Sequence, residues 1–388
     1  MTAAERVPPG RSPCQTADEI TIAGLNTALI AEMAVVPQNA PSGVICARLD
    51  SVAAGTAPTT QQFVNHCRSM PTKNFLIVRD GAGAGSLRGA VVAIGNFDGV
   101  HRGHRAVIAT ALERARWLGK PAAALTFEPH PRAFFNRNEK LFRLTDASTK
   151  LRLLAGTGLD GAIVLTFDAA LASLTAEQFV RLILVERFAV SGAVIGFNFH
   201  FGMSRGGSPD FLTAEGKKCG FAVDVVPPFE DHGRPVASGP IRAALAAGKV
   251  DAAAEFLGYP WFVNGEVIHG DKRGRELGFP TANLSLDASC GLRHGIYAVR
   301  AEIGGRRYDG VASFGRRPMF DTGAVLLEVF LFDFAGDIYG QRIDVAFIAW
   351  LRPEEVFASV DELIRQMQDD VRGARAALAR AGNVFPQI

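Results

Sequence analysis

Residues 90–104, reading AVVAIGNFDGVHRGH, concentrate groups suited to phosphate chemistry: His101 and His104, with Gly95, Gly99 and Gly103 around Asp98. A short apolar run precedes them. Behind them Val107, Ile108, Ala111, Leu112, Ala115 and Leu118 recur at helical spacing, so the histidines open an amphipathic helix. A strand, a glycine turn and a helix N-terminus make an anion site, because the first amide N–H groups lack partners and the helix dipole favours negative charge. Imidazoles at that mouth can bind a nucleotide's phosphates and stabilise charge developing on them.

A second concentration lies at residues 270–283, GDKRGRELGFPTAN. The chain has no Walker A motif, so its phosphate handling must come from elsewhere. A glycine-rich loop bearing Lys272, Arg273 and Arg275 supplies N–H groups and positive charge. Thr281 and Asn283 offer oxygen ligands suited to a hard cation such as Mg2+.

The elements that must position these groups fall into two kinds. Over 75–231, strand-like runs at 75–78, 90–94, 122–127, 161–167, 192–195 and 221–226 alternate with helical patterns such as 105–118 and 175–188. That alternation predicts a parallel, helix-covered sheet, whose ligands bind at the carboxyl ends of its strands. From 262 to 350 the pattern changes to short strands separated by Gly, Asp and Asn turns: 262–268, 295–303, 308–314, 326–332 and 342–348. No long helix interrupts them, which predicts a small closed antiparallel barrel. A final helix to about Ala381 carries Leu363, Met367, Val371 and Leu378 as a stripe for docking on that barrel.

Length and composition are compatible with this plan. The 388 residues suffice for two cores, and 41 basic against 39 acidic side chains argue against a nucleic-acid groove. Five scattered cysteines form no zinc or disulfide pattern, and no apolar run is long enough to span a bilayer. A cytoplasmic protein without membrane partners is expected. Residues 1–69 mix Pro, Ser, Thr, Ala and Gln with weak periodicity and read as a poorly ordered extension or a misplaced translation start before Met70. The remaining boundaries predict domains at 70–255 and 256–388.

GNFDGVHRGH resembles the G-x-F-D-G-x-H-x-G-H signature of the bacterial bifunctional riboflavin kinase/FAD synthetase family, and GDKRGRELGFPTAN resembles that family's riboflavin kinase signature. The resemblance covers about residues 75–375, with both signatures in the family's order. It implies an α/β nucleotidyltransferase domain with a Rossmann-like parallel sheet, followed by a small β-barrel kinase domain and a C-terminal helix. Gly95, Phe97, Asp98, His101, His104, Ser238 and Arg242 would then bind ATP in the first half; Gly270, Arg275, Gly278 and Thr281 would bind it in the second. Phe127 and His130 of TFEPHP, with Asn198, Phe199 and Phe201 of GFNFHFG, would contact flavin. In the second segment Asn198 and His200 replace the family's aspartate and arginine. Ser238 and Arg242 survive in a block where Ala237 and Gly239 stand for hydroxyls. Ser238 is also placed to cap the following helix.

LEVFLFD, residues 327–333, resembles the strand carrying the family's catalytic glutamate, which makes Glu328 the candidate base. Ser313 and Met319 depart from the family's Asn and Thr. The resemblance implies two ATP- and Mg2+-dependent steps, with Glu328 catalysing phosphorylation of riboflavin to FMN. His101, His104 and Arg242 would catalyse adenylylation of FMN to FAD, releasing pyrophosphate. Thr281 and Asn283 would hold the metal. The alternative is a riboflavin kinase whose adenylyltransferase half has weakened. Oligomeric state is open.

Overall fold

A computed structural model describes residues 74–81, 84–136, 140–269, 278–316 and 325–386. The predicted extension at 1–69, together with Gly270, Lys272, Arg273, Arg275 and Met319, lies outside the described residues.

Six parallel strands form the first layer: β1 (Leu76–Arg79), β2 (Val91–Ile94), β3 (Ala122–Glu128), β4 (Gly161–Thr166), β5 (Gly192–Gly196) and β6 (Ala222–Val226). Their spatial order is β1-β4-β3-β2-β5-β6. The chain leaves β2 toward β3 on one side and later returns to β5 on the other, so a switch point lies beyond the carboxyl end of β2. The strand is fully buried because its side chains serve two cores. Val91 and Ala93 join the face covered by helix α1 (Arg102–Leu118), while Val92 and Ile94 join the opposite one. The helical segment that starts at Ala176 opens with a capping box, Gln178 N donating to Thr175 Oγ1 at 3.2 Å and Thr175 N to Gln178 Oε1 at 2.9 Å.

Helices α2 (Ala147–Ala155) and α3 (Pro209–Cys219) also belong to this part, as does a π-helical segment, Phe179–Arg187, on the opposite face, and α4 (Ser238–Ala246) and α5 (Val250–Leu257) lead into the second. There β7 (Phe262–Ile268), β8 (Thr281–Leu286), β9 (Gly295–Ile303), β10 (Arg306–Arg316), β11 (Val325–Leu331) and β12 (Arg342–Arg352) close into a barrel in the order β8-β11-β10-β9-β12-β7. All its pairings are antiparallel. Sequence alternation predicts five of these strands; β8 is the sixth. Its first three residues lie in the TAN of the glycine-rich block, where turn chemistry masks the alternation. Among the described residues, closure leaves the barrel no edge strand for pairing with another chain.

Helix α6 (Val360–Ala381) covers part of the barrel's outer surface, with Ala374, Ala377 and Leu378 packed among Ala298 and Phe332. Arg352 ties it down through two hydrogen bonds to Asp370, at 2.8 and 2.7 Å. Ser359 caps the helix, but Glu362 accepts from Ala358 N at 3.1 Å, so only half of a capping box forms. Sheet and barrel share one apolar cluster that runs from Val91 and Ile108 through Leu257, Tyr259 and Trp261 to Phe347.

Candidate functional sites

The first site sits at the switch point. After β2 the chain turns through residues 96–100, where Phe97 (φ 51°), Gly99 (φ 83°) and Val100 (φ 35°) occupy the left-handed region. Two non-glycine residues there carry strain, which surrounding contacts must offset. Asp98 supplies the main anchor. One of its oxygens accepts from Leu144 N at 2.9 Å and Thr145 N at 3.1 Å, and the other pairs with the Arg242 guanidinium. Arg242 also donates to Phe142 O at 2.5 Å.

His101 caps α1: its Nδ1 accepts from His104 N at 3.2 Å, which leaves Nε2 as the protonated nitrogen of the neutral ring. The two imidazoles stack with centroids 3.6 Å apart. Burial, then the Arg242 charge, pushes the His101 pKa down to about 4. Burial acts likewise on His104, reinforced by His101 and Lys150, so both rings are neutral near pH 7. Among the described residues the buried Nδ1 of His104 has no hydrogen-bond partner. A neutral N–H donor beside a fixed guanidinium and a helix N-terminus suits a phosphoryl group that gains charge.

Ser238 is not the cap of α4. Ala237 occupies that position without a side-chain bond, and Ser238 Oγ instead donates to Asp98 O at 3.1 Å. Gly95 follows β2 against the Phe97 ring, which is buried in the core. His130 caps the short helix Pro131–Phe135, and its pKa falls to about 4 through burial, opposed by Asp98 and reinforced by Arg242. The proposed flavin contacts divide. His130 senses the charges of this site, whereas Phe127 and Phe201 belong to the core on the other sheet face. Phe201 is only 7% exposed and packs on Phe179, Phe199 and Phe211. Phe199 is half-buried, and Asn198 is exposed beyond β5.

Sequence reasoning missed Lys150. Its buried ammonium lies 2.6 Å from Glu128 and donates to Thr126 Oγ1 at 3.3 Å and Phe127 O at 3.2 Å, pinning the end of β3. Arg143 braces the same carboxylate at 2.9 Å. The available signal was a lysine on the apolar stripe of α2, beside Leu153 and Leu154.

The second site lies on the outer face of the barrel. Asn283 of β8 stands directly opposite Glu328 of β11, which stands opposite Ser313 of β10. Thr281 and Phe330 form the next pair on that face. Intervening residues Leu284, Leu327 and Val329 point into the barrel core. Thr281 and Glu328 therefore share one surface. Asn283 is buried, yet among the described residues its Oδ1 has no hydrogen-bond partner. An orphaned carboxamide oxygen beside a hydroxyl and a carboxylate is a donor set that fits a hard divalent cation. Gly278 takes φ +84° at the turn entering β8. Glu354, from the segment after β12, lies close to Glu328; burial first, then the Glu328 charge, raises its pKa. Along β11 from Glu328, Phe279, Phe330, Phe332 and Arg375 help line a cleft of about 290 Å³ between barrel and α6.

The chain matches the FAD synthetase family over residues 84–240 and the riboflavin kinase family over residues 257–378. A bifunctional riboflavin kinase/FMN adenylyltransferase of Pseudomonas fluorescens is 43% identical over 75% of this chain and 94% of its own length. The protein of the same name from Escherichia coli strain K12 is 39% identical over 74% and 92%. A solved structure described as a macrolide-efflux protein from Streptococcus pneumoniae superposes with a TM-score of 0.70 at 32% identity, covering 78% of this chain and 98% of that one. Among the described residues no helix is long and apolar enough to cross a membrane. Both family matches, in the order in which the two sites occur, show that the chain belongs to the bifunctional riboflavin kinase/FMN adenylyltransferase family.

Proposed function

We infer that this protein converts riboflavin to FMN with ATP on its barrel, then adenylylates FMN with a second ATP at the parallel sheet, giving FAD and pyrophosphate. The observation that carries the reading is the presence in one chain of two separate phosphate-handling constellations. One is the stacked His101–His104 pair with Arg242; the other is the Asn283–Glu328–Thr281 face. The presence of both families in one chain favours this over a kinase with a weakened second half.

In the first step Glu328 accepts the proton of the riboflavin 5′-hydroxyl as that oxygen attacks the γ-phosphorus of ATP, whose bond to the β,γ-bridging oxygen breaks to release ADP. Thr281 and Asn283 are assigned to hold a divalent cation, taken here as Mg2+. Such an ion neutralises the nucleotide's phosphates when bound. The aromatic side of the cleft, at Phe279 and Phe330, takes the flat ring. Phe330 is two residues from Glu328 on the same strand face, about 7 Å away, a span suited to the ribityl chain.

In the second step the FMN phosphate attacks the α-phosphorus of ATP. Arg242, the α1 N-terminus and neutral imidazole N–H groups stabilise the spreading charge; no covalent enzyme intermediate is required. Neither histidine serves as a proton store near neutral pH. The test is chromatography of products from riboflavin plus MgATP, with Glu328→Gln and His104→Ala alongside. Wild type should yield FMN and FAD. Glu328→Gln should make FAD only when FMN is supplied, and His104→Ala should stop at FMN. Wild type stopping at FMN would overturn the bifunctional reading.

A further inference from the structure

The strained loop at residues 96–100 is not held by the sheet alone. Tyr259 donates its hydroxyl to Gly99 O at 2.6 Å, and Trp261 donates its indole N–H to Leu144 O at 2.9 Å. Both side chains are buried, at 7% and 2% exposure. They lie between α5 and β7, at the entrance to the barrel. Trp261 stacks on Phe347 of the barrel core at 5.2 Å and meets Phe142 edge-on at 5.8 Å.

Residues 142–145 connect these contacts. Phe142 O accepts from Arg242, the Leu144 and Thr145 N–H groups hold Asp98, and Leu144 O accepts from Trp261. Thr145 Oγ1 also accepts from Gly99 N at 3.2 Å. Gly99 is thus fixed on both sides, its N–H by the sheet part and its carbonyl by Tyr259. A Cβ there would meet Leu144 Cδ1 at 2.9 Å, so the strand of contacts is tightly packed.

We propose that Tyr259 and Trp261 are positioning residues for adenylyl transfer, fixing the Asp98–Gly99 turn and the 142–145 segment so that Arg242 and the His101–His104 pair face the nucleotide. This rests on the adenylyltransferase reading of that site. Neither residue lies on the kinase face, so the two activities of one chain separate positioning from folding. Burial pushes the Tyr259 pKa upward, which keeps its hydroxyl protonated as a donor.

The test is Tyr259→Phe and Trp261→Phe in the full-length chain, because each removes one buried donor and keeps an aromatic ring. FMN adenylylation and riboflavin phosphorylation are measured on the same preparations, well below the thermal transition. The expected result is an approximately tenfold fall in kcat/KM for adenylylation in each variant, the worth of one buried hydrogen bond. Riboflavin phosphorylation should stay within twofold of wild type. Unchanged adenylylation in both variants would overturn the proposal. So would loss of both activities in step, which would mark the residues as structural only. A wild-type chain that makes no FAD would instead refute the functional reading itself.

Discussion

Asp98→Asn removes one charge and leaves the shape almost unchanged, which makes its consequence calculable. In the native site one carboxylate oxygen accepts two backbone N–H groups, at 2.9 and 3.1 Å, and the other pairs with Arg242. An asparagine has only one acceptor oxygen. If that oxygen keeps Leu144 N and Thr145 N, the amide NH2 faces the guanidinium, donor against donor. If it turns, two buried N–H groups lose their partner. Asp98 is 4% exposed, so water cannot repair either arrangement. Breaking one side of a buried ion pair costs about 3–5 kcal/mol. If some 3–4 kcal/mol of that appears as lost alignment of Arg242, adenylylation kcat/KM falls by about 10²–10³-fold.

The assay follows FAD formation from FMN and MgATP, with riboflavin phosphorylation as the measure of folded protein. Arg242→Met and the double variant complete a cycle. The double variant should lose much less than the sum of the singles, since either change abolishes the same pair. Adenylylation within threefold of wild type in Asp98→Asn, or additive losses in the cycle, would refute the reasoning.

Asn283→Leu removes the orphaned oxygen opposite Glu328; it should cut riboflavin phosphorylation at least tenfold and weaken its dependence on divalent cation, with adenylylation of supplied FMN retained. Titration of divalent cation in the kinase assay checks this. His101 has a folded pKa of about 4 against an ordinary value near 6.5, so the unfolded chain binds more protons between them. Its contribution to stability is present above pH 6.5 and is lost as pH falls toward 4. At pH 5 the loss is about 2 kcal/mol, and urea unfolding of His101→Asn should show a correspondingly smaller difference between pH 7.5 and 5. Arg300 is buried and donates to Asp309 at 2.7 Å and to the carbonyls of Gly382 and Val384 at 2.8 and 2.9 Å. Arg300→Met should destabilise by about 3 kcal/mol and release the C-terminal segment, read as faster amide exchange after Gly382.

Both architectures are legible in local pattern, and local pattern also singles out most residues of the two candidate sites. Alternation of apolar runs with helical stripes is local, and it places β2 and α1 on either side of GNFDGVHRGH without knowledge of any distant contact. Short strands between turn residues likewise announce a barrel. What periodicity cannot report is which strands become neighbours. The Asn283–Glu328 pairing joins residues far apart in the chain, and β8 itself is obscured by the turn-rich block it follows.

Burial and charge balance likewise arise from long-range packing. The histidines read as phosphate ligands; packing beneath Arg242 and Lys150 is what makes them neutral. Lys150 becomes part of the site only because folding sets its ammonium against Glu128 under the strand ends. Ser238 carried the sequence character of a cap, yet the Asp98 carbonyl captured its hydroxyl. Tyr259 and Trp261 carry no local signal of their partners, because a connecting stretch and a clamp differ only in what folds against them. Local pattern sets an element and its faces; long-range packing sets the proton, the partner and the field at each side chain.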